Sequence, residues 1–320
     1  MTAGAVGRLL RLLVAGGLTA YLLVRSDPAA VLSAASGADL SYVLLAAALV
    51  LVDRALMAWR WVALLCIVDR ERRPPIGRLM EIFFVSTFIG TFLPASIGGD
   101  AVRAYSLSRD TVSGPDALAS VFMDRVLGVA SLLVLSLVGL LLARDLSGNP
   151  AVVASLLVTG AVCLFAILMI FSARVGVLSA RILSALPGAA LNRASQAIVA
   201  SVQRYARFHV VLLNVLTMSV GVQIVRVIQA YCLGRALGID AGVSAYFAFI
   251  PLILIVMLLP VTINGLGTSQ AAFVWFFSRI GVAYAPAFAL SVLFVGLGIV
   301  GNLPGGLIYA FGQSSSKDVS

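Results

Sequence analysis

The chain has 320 residues, 61% hydrophobic and 11% charged, with a mean hydropathy of +1.09. Soluble domains carry about 25% charged residues, so this composition excludes a soluble enzyme or binding module and indicates an integral membrane protein. The formal charge is +9, with 22 Lys and Arg against 13 Asp and Glu, which suits cytoplasmic loops and acidic lipid headgroups better than nucleic acid.

The apolar run over 8–25 has Arg8 and Arg11 at its start and reads as a retained first span rather than a cleaved signal peptide, because Arg25-Ser-Asp-Pro28 is a poor cleavage region. Leu40 to Val68 is the second span and carries Asp53, Arg54 and Arg60 well inside it. Ionisable groups at that depth default to a functional reading. Asp53 and Arg54 also fit a self-neutralised pair, and Arg60 could reach to the interface along its apolar stem. The loop Asp69 to Pro75 holds three Arg, and Arg78 follows, which places it in the cytoplasm. Arg174 to His209 holds five Arg and no acid, with apolar positions at helical spacing, and reads as amphipathic helix on the cytoplasmic surface.

Between these two inside segments lie three apolar stretches: Leu79–Phe92, Leu118–Leu142 and Ala151–Ser172. Three crossings would put the two basic segments on opposite sides. One stretch must therefore enter and return. Leu79–Phe92 is the candidate, because crossing needs about 20 apolar residues and this run stops at Pro94, Gly98 and Gly99. Proline removes a backbone donor and glycine admits non-helical dihedrals. The expected return leg is Ala101 to Ser108. The second half reads the same way upside down. Val211–Arg235 crosses outward, Val243–Leu259 enters, Pro260–Gly267 turns, Ala271–Phe277 returns, and Pro286–Phe311 crosses inward, leaving Lys317 in the cytoplasm.

An internal match supports this symmetry. Leu93-Pro-Ala-Ser-Ile-Gly-Gly99 is echoed by Leu259-Pro-Val-Thr-Ile-Asn-Gly265, with Pro94 and Pro260 standing 166 residues apart. At the same offset Arg60 maps onto Arg226, Cys66 onto Cys232, Phe83 onto Phe249 and Ile97 onto Ile263. Paired interrupted segments in two halves of a membrane protein point to a transporter-like site. The expected fold is an all-α polytopic membrane protein. It is an inverted repeat with about six full spans and two opposed re-entrant helical hairpins, plus the cytoplasmic-surface amphipathic helix. Within one transmembrane domain, repeat one is 40–172, preceded by the 8–25 span; the basic linker is 173–209 and repeat two is 210–312.

The candidate site follows from the repeat. It comprises Asp53, Arg54, Arg60 and Arg226 on the spans, and Pro94, Gly98, Gly99, Asp100 and Arg103 around the first tip. Asp124 and Arg125 begin the next span, and Pro260, Asn264, Gly265, Gly267 and Gln270 surround the second tip. Guanidinium forks suit phosphate, and helix ends with unpaired N–H groups favour anions. Together these residues describe a wet, basic cavity in an apolar shell, suited to an anionic headgroup whose tails stay in lipid. Asp124 and Arg125 equally fit an interfacial ion pair. No hydrolytic triad, P-loop, zinc motif or dinucleotide fingerprint is present. Cys66, Cys163 and Cys232 sit in apolar runs, and His209 is the single histidine. The expectation is therefore no catalytic residue, no metal and no cofactor.

The chain resembles the transmembrane region of lysylphosphatidylglycerol synthases/flippases and its stand-alone, flippase-like relatives. The resemblance is carried by Arg60-Trp61, Leu93-Pro-Ala-Ser-Ile-Gly-Gly-Asp-Ala-Val-Arg103, Asp124-Arg-Val-Leu-Gly128 and Pro260-Val-Thr-Ile-Asn-Gly-Leu-Gly267, and covers roughly Leu9 to Phe311. Members often carry an acid just after the Gly-x-Gly turn, where this chain has Gln270, which puts a proton- or cation-coupled role there in doubt. The resemblance implies movement of lipid between leaflets. With the chain ending at Ser320 and no aminoacyl-transferring domain, it implies a non-enzymatic protein. The expectation is a flippase or scramblase for an anionic or amino-modified phospholipid or a polyprenyl-phosphate-linked lipid. The alternatives are an intramembrane headgroup-modifying enzyme or a small-solute carrier. Expected partners are membrane lipids, with either a homo-oligomer or a lipid-synthesis enzyme beside them and no nucleic acid. The expected location is the bacterial cytoplasmic membrane, with both termini inside.

Overall fold

The computed structural model describes residues 36–65, 73–93, 97–142, 207–258 and 267–311, together with 154, 157, 161, 196, 200, 201 and 203–205. The first span at 8–25, most of the 151–172 stretch and of the 173–209 linker, and Pro94, Pro260, Asn264 and Gly265 lie outside the described residues. The described residues are helical, with no strand among them. In hydrocarbon every backbone N–H and C=O must be satisfied within the segment, and the helix achieves this locally.

Nine helices run in order through the described residues: α1 (Leu40–Leu65), α2 (Ile76–Gly90), α3 (Ile97–Ser108), α4 (Gly114–Leu142), α5 (His209–Ala236), α6 (Val243–Met257), α7 (Thr268–Ser278), α8 (Tyr284–Val300) and α9 (Leu303–Phe311). Four stretches are long and apolar enough to cross a membrane: Leu40–Leu65, Gly114–Gly139, His209–Ala236 and Tyr284–Phe311. The last joins α8 and α9 across Gly301 and Asn302. Pro304 is tolerated at the start of α9, where its missing donor would have no partner in any case.

The short helices form two antiparallel pairs. At one end of the first pair Arg78 of α2 is bound to Asp110, just past α3, at 3.2 Å. At the other end a Cβ on Gly99 of α3 would sit 2.7 Å from the Ser86 carbonyl and 2.9 Å from the Gly90 Cα of α2. Gly98 and Gly99 therefore lie in the first turn of a helix rather than in the turn itself; Gly99 lets the α2 and α3 backbones approach, and Gly98 leaves room for the Leu93 side chain. At 1.5 Å per residue α2 is roughly 22 Å long and α3 roughly 18 Å, short of a hydrocarbon core of about 30 Å. In the second pair Tyr246 of α6 meets Phe277 of α7 at a ring-centroid distance of 5.1 Å, and Phe249 meets Phe276 at 5.4 Å.

The two pairs open at opposite ends of α1. The first opens beyond Leu65, where Ser201 and Arg204 of the basic linker also bind Asp116, at 2.8 and 3.2 Å. The chain enters the second near Ala236, whose carbonyl accepts from Asp39 at the start of α1. At the linker contact the Tyr205 phenol is buried, and burial together with nearby Asp116 pushes its pKa up.

Each pair has its own core. Trp61, Leu79, Phe83, Leu107 and Met123 pack around the first. Tyr246, Phe249, Phe273, Phe277 and Phe294 pack around the second. Leu44, Leu45, Leu51, Trp59 and Leu213 face outward, as suits a surface bathed in acyl chains.

Candidate functional site

Helix α1 supplies one face of the site. Asp53, Met57 and Arg60 recur at helical spacing. Asp53 and Arg60 are only 3% and 4% exposed on a helix whose other faces are largely uncovered. A charge buried that deeply persists only when it is paired, and both are.

Around Arg60 the pairing forms a chain. Its Nε donates to Asp124 Oδ1 of α4 at 2.9 Å, and its Nη1 donates to Ser219 Oγ of α5 at 3.1 Å. The other oxygen of Asp124 accepts from Arg103 of α3 at 3.2 Å. Arg103 also donates to Asp100 at 2.7 Å, and Asp100 is bound by Arg125 of α4. The Arg103 guanidinium lies 5.4 Å from the ring centres of both Trp61 and Phe83, so aromatic faces share in holding the cation.

A second cluster forms around Asp53. Its carboxylate accepts from its neighbour Arg54 at 2.7 Å and from Arg226 of α5 at 2.8 Å. Arg54 also donates to the Gly298 carbonyl of α8 at 3.2 Å, and Arg226 donates to Gln223 at 3.4 Å. Thus Arg54 and Asp53 do pair with each other, but a guanidinium from the other half of the chain shares that carboxylate.

The two clusters line a common space. One cavity, about 220 Å³, is bounded by Arg54, Arg103, Arg125 and Arg226, with Gly90 and Thr91 from the end of α2 and Met257 and Leu258 from the end of α6. A smaller one of about 130 Å³ continues past Asp53 and Asn302, and another of about 80 Å³ continues past Arg60 and Asp124. The inner ends of both short-helix pairs therefore meet the same basic space. Gly267 and Gln270 take a different part. Gly267 has φ +92°, a left-handed conformation open to glycine, and its N–H is capped by the Gln270 carboxamide, which also accepts from Ser269. Among the described residues no group of three or more His, Cys, Asp and Glu is placed to hold a metal.

The contacts cross between halves in a matched way. Arg60 bonds Ser219 and Arg226 bonds Asp53. Arg60 and Arg226 are 166 residues apart, and so are Asp53 and Ser219. Gly139 and Gly305 are another such pair. A Cβ on Gly139 would collide with the backbone at Phe247 in α6, and one on Gly305 with the backbone at Phe84 in α2.

Residues 8–305 match the family described as the lysylphosphatidylglycerol synthase TM region. The chain belongs to this family. Membership makes it an integral membrane protein with a function related to membrane lipid. No curated protein and no solved structure matches the chain.

Some site residues escaped the sequence reading. Asn302, 8% exposed, lines the cavity and donates to Thr91 Oγ1 at 2.7 Å. The one signal for it was its place between Gly301 and Pro304 in an apolar span. Ser219 and Gln223 look like ordinary polar residues on a long helix, although the repeat offset places Ser219 opposite Asp53.

Proposed function

We propose that the protein moves an anionic lipid between leaflets, holding the headgroup in the basic cavity while the tails remain in the bilayer. The observation that carries this is the meeting of four arginines from α1, α3, α4 and α5 around one cavity at the inner ends of both short-helix pairs. Arginine forks bind phosphate oxygens bidentately, and a water-poor surrounding strengthens that attraction.

In this reading the two short pairs are re-entrant hairpins from opposite membrane faces, and the protein is an inverted repeat with six spans. Support comes from their length, from their opening at opposite ends of α1, and from the crossed Arg60–Ser219 and Arg226–Asp53 contacts. Because each half grips the other's short helix through Gly139 or Gly305, a rocking of one half against the other would alternately expose the cavity. The arginine-rich loops set both termini on the cytoplasmic side of a bacterial inner membrane. No covalent step is required of the protein.

The test is reconstitution in liposomes with headgroup-labelled phosphatidylglycerol and a labelled polyprenyl phosphate in the inner leaflet, followed by quenching from outside. The expected result is faster loss of inner-leaflet signal than in empty vesicles, abolished by Arg54→Gln with Arg226→Gln. Folded, correctly inserted protein that moves neither lipid would sink the reading.

A further inference from the structure

The cavity carries more positive charge than its own carboxylates neutralise. Arg54, Arg60, Arg103, Arg125 and Arg226 surround it, against Asp53, Asp100 and Asp124. Among the described residues, five guanidiniums against three carboxylates leave two positive charges in excess. Nothing ionisable lines it from α2, α6, α8 or α9. The three carboxylates are already committed: each accepts from two arginines. On the donor side capacity remains. Arg125 lines the cavity, bonds Asp100 through its Nε and is 35% exposed at its side chain, so its terminal nitrogens can meet a ligand. An excess of positive charge gathered between packed helices is costly unless an anion enters to balance it.

We infer that the site selects a headgroup bearing two negative charges, a terminal phosphate monoester or a diphosphate, over singly charged and cationic headgroups. This rests on the reading of the cavity as a headgroup site, and it narrows it. A phosphate monoester carries about −1.5 to −2 charges at pH 7 and three acceptor oxygens, matching the excess charge and the free donors. A lysyl ester of phosphatidylglycerol has two ammonium groups for one phosphodiester. It would enter a cavity of its own sign and meet carboxylates that arginines already hold.

The experiment measures binding, so it stands apart from transport. Purified protein in detergent is titrated with short-chain phosphatidic acid, phosphatidylglycerol and lysylphosphatidylglycerol, and separately with inorganic phosphate and diphosphate, while retained ligand is read by native mass spectrometry. Phosphatidic acid is expected to bind about tenfold more tightly than phosphatidylglycerol, with lysylphosphatidylglycerol weakest. Arg226→Gln should reduce the preference to about threefold or less, and Arg226→Lys should restore part of it. If Arg226→Gln fails to fold, Arg125→Gln, at a side chain that is 35% exposed, serves the same purpose. Equal binding of the three lipids, or lysylphosphatidylglycerol binding best, overturns the inference. Phosphate or diphosphate displacing phosphatidic acid at similar concentration assigns the site to a soluble anion and overturns the lipid source. Dianion-selective lipid binding without lipid movement in vesicles would leave this inference standing and remove the transport reading.

Discussion

Arg60 and Arg226 occupy matched positions in the two halves, yet their surroundings differ. Arg60 is enclosed: its side chain is 5% exposed, Asp124 and Ser219 hold it, and Asp124 is shared with the buried Arg103. Arg226 is 20% exposed at its side chain, shares Asp53 with Arg54, and reaches the larger cavity. The sequence match alone made them equivalent. In this conformation the first is an internal tie and the second faces the larger cavity. The difference comes from their partners: α4 offers Asp124 to Arg60, whereas the residue 166 positions further on is the apolar Leu290.

The strongest way to break this contrast is Asp124→Ala. It strands Arg60 and Arg103 without a shared counter-charge, and removing one partner of a buried pair costs about 3–5 kcal/mol. The thermal unfolding midpoint in detergent should fall further for this variant than for any other discussed here, and an unchanged midpoint would overturn the tie.

Next come the crossing glycines. Gly139→Val and Gly305→Val each push a side chain into the facing helix backbone, at about 1–3 kcal/mol for overpacking. Similar losses for both would sharpen the view of two matched joints. A loss confined to one would show that the halves are held unequally.

Arg60→Gln against Arg226→Gln is the direct comparison. Arg60→Gln should cost more stability, about 1–2 kcal/mol, because its side chain is 5% exposed against 20% for Arg226 and Ser219 loses its donor. Arg226→Gln should instead show its deficit in lipid retention. The reverse ranking in a melting experiment would exchange the two roles. The smallest effect belongs to Gln270→Ala, which removes a helix cap worth about 1 kcal/mol. A larger loss, or a collapse of lipid binding, would draw Gln270 into the site.

By itself the sequence was enough to determine the class of protein and that two apolar runs are too short to cross, while the break at Gly301–Asn302 escaped it. Composition demands a membrane, and a membrane demands helices. The shortness of the runs around Pro94 and Pro260 and the 166-residue offset both follow from local chemistry along one strand of text. Charged residues inside apolar runs marked Asp53, Arg54, Arg60, Asp100, Arg103, Asp124, Arg125 and Arg226, because hydrocarbon makes such residues rare.

Beyond the adjacent Asp53–Arg54 pair, only the tertiary structure decided who pairs with whom. Sequence adjacency suggested Asp124 with Arg125, but Arg125 reaches Asp100, and Asp124 turns to Arg60 and Arg103. Neighbours on a helix point about 100° apart, so partners are chosen by the faces that packing brings together. Asn302 and Ser219 became site residues for the same reason, since an uncharged polar side chain gains its meaning from what lies across the helix interface. The excess of two positive charges is likewise a property of the assembled cavity, because it depends on which arginines and carboxylates the fold gathers around one space.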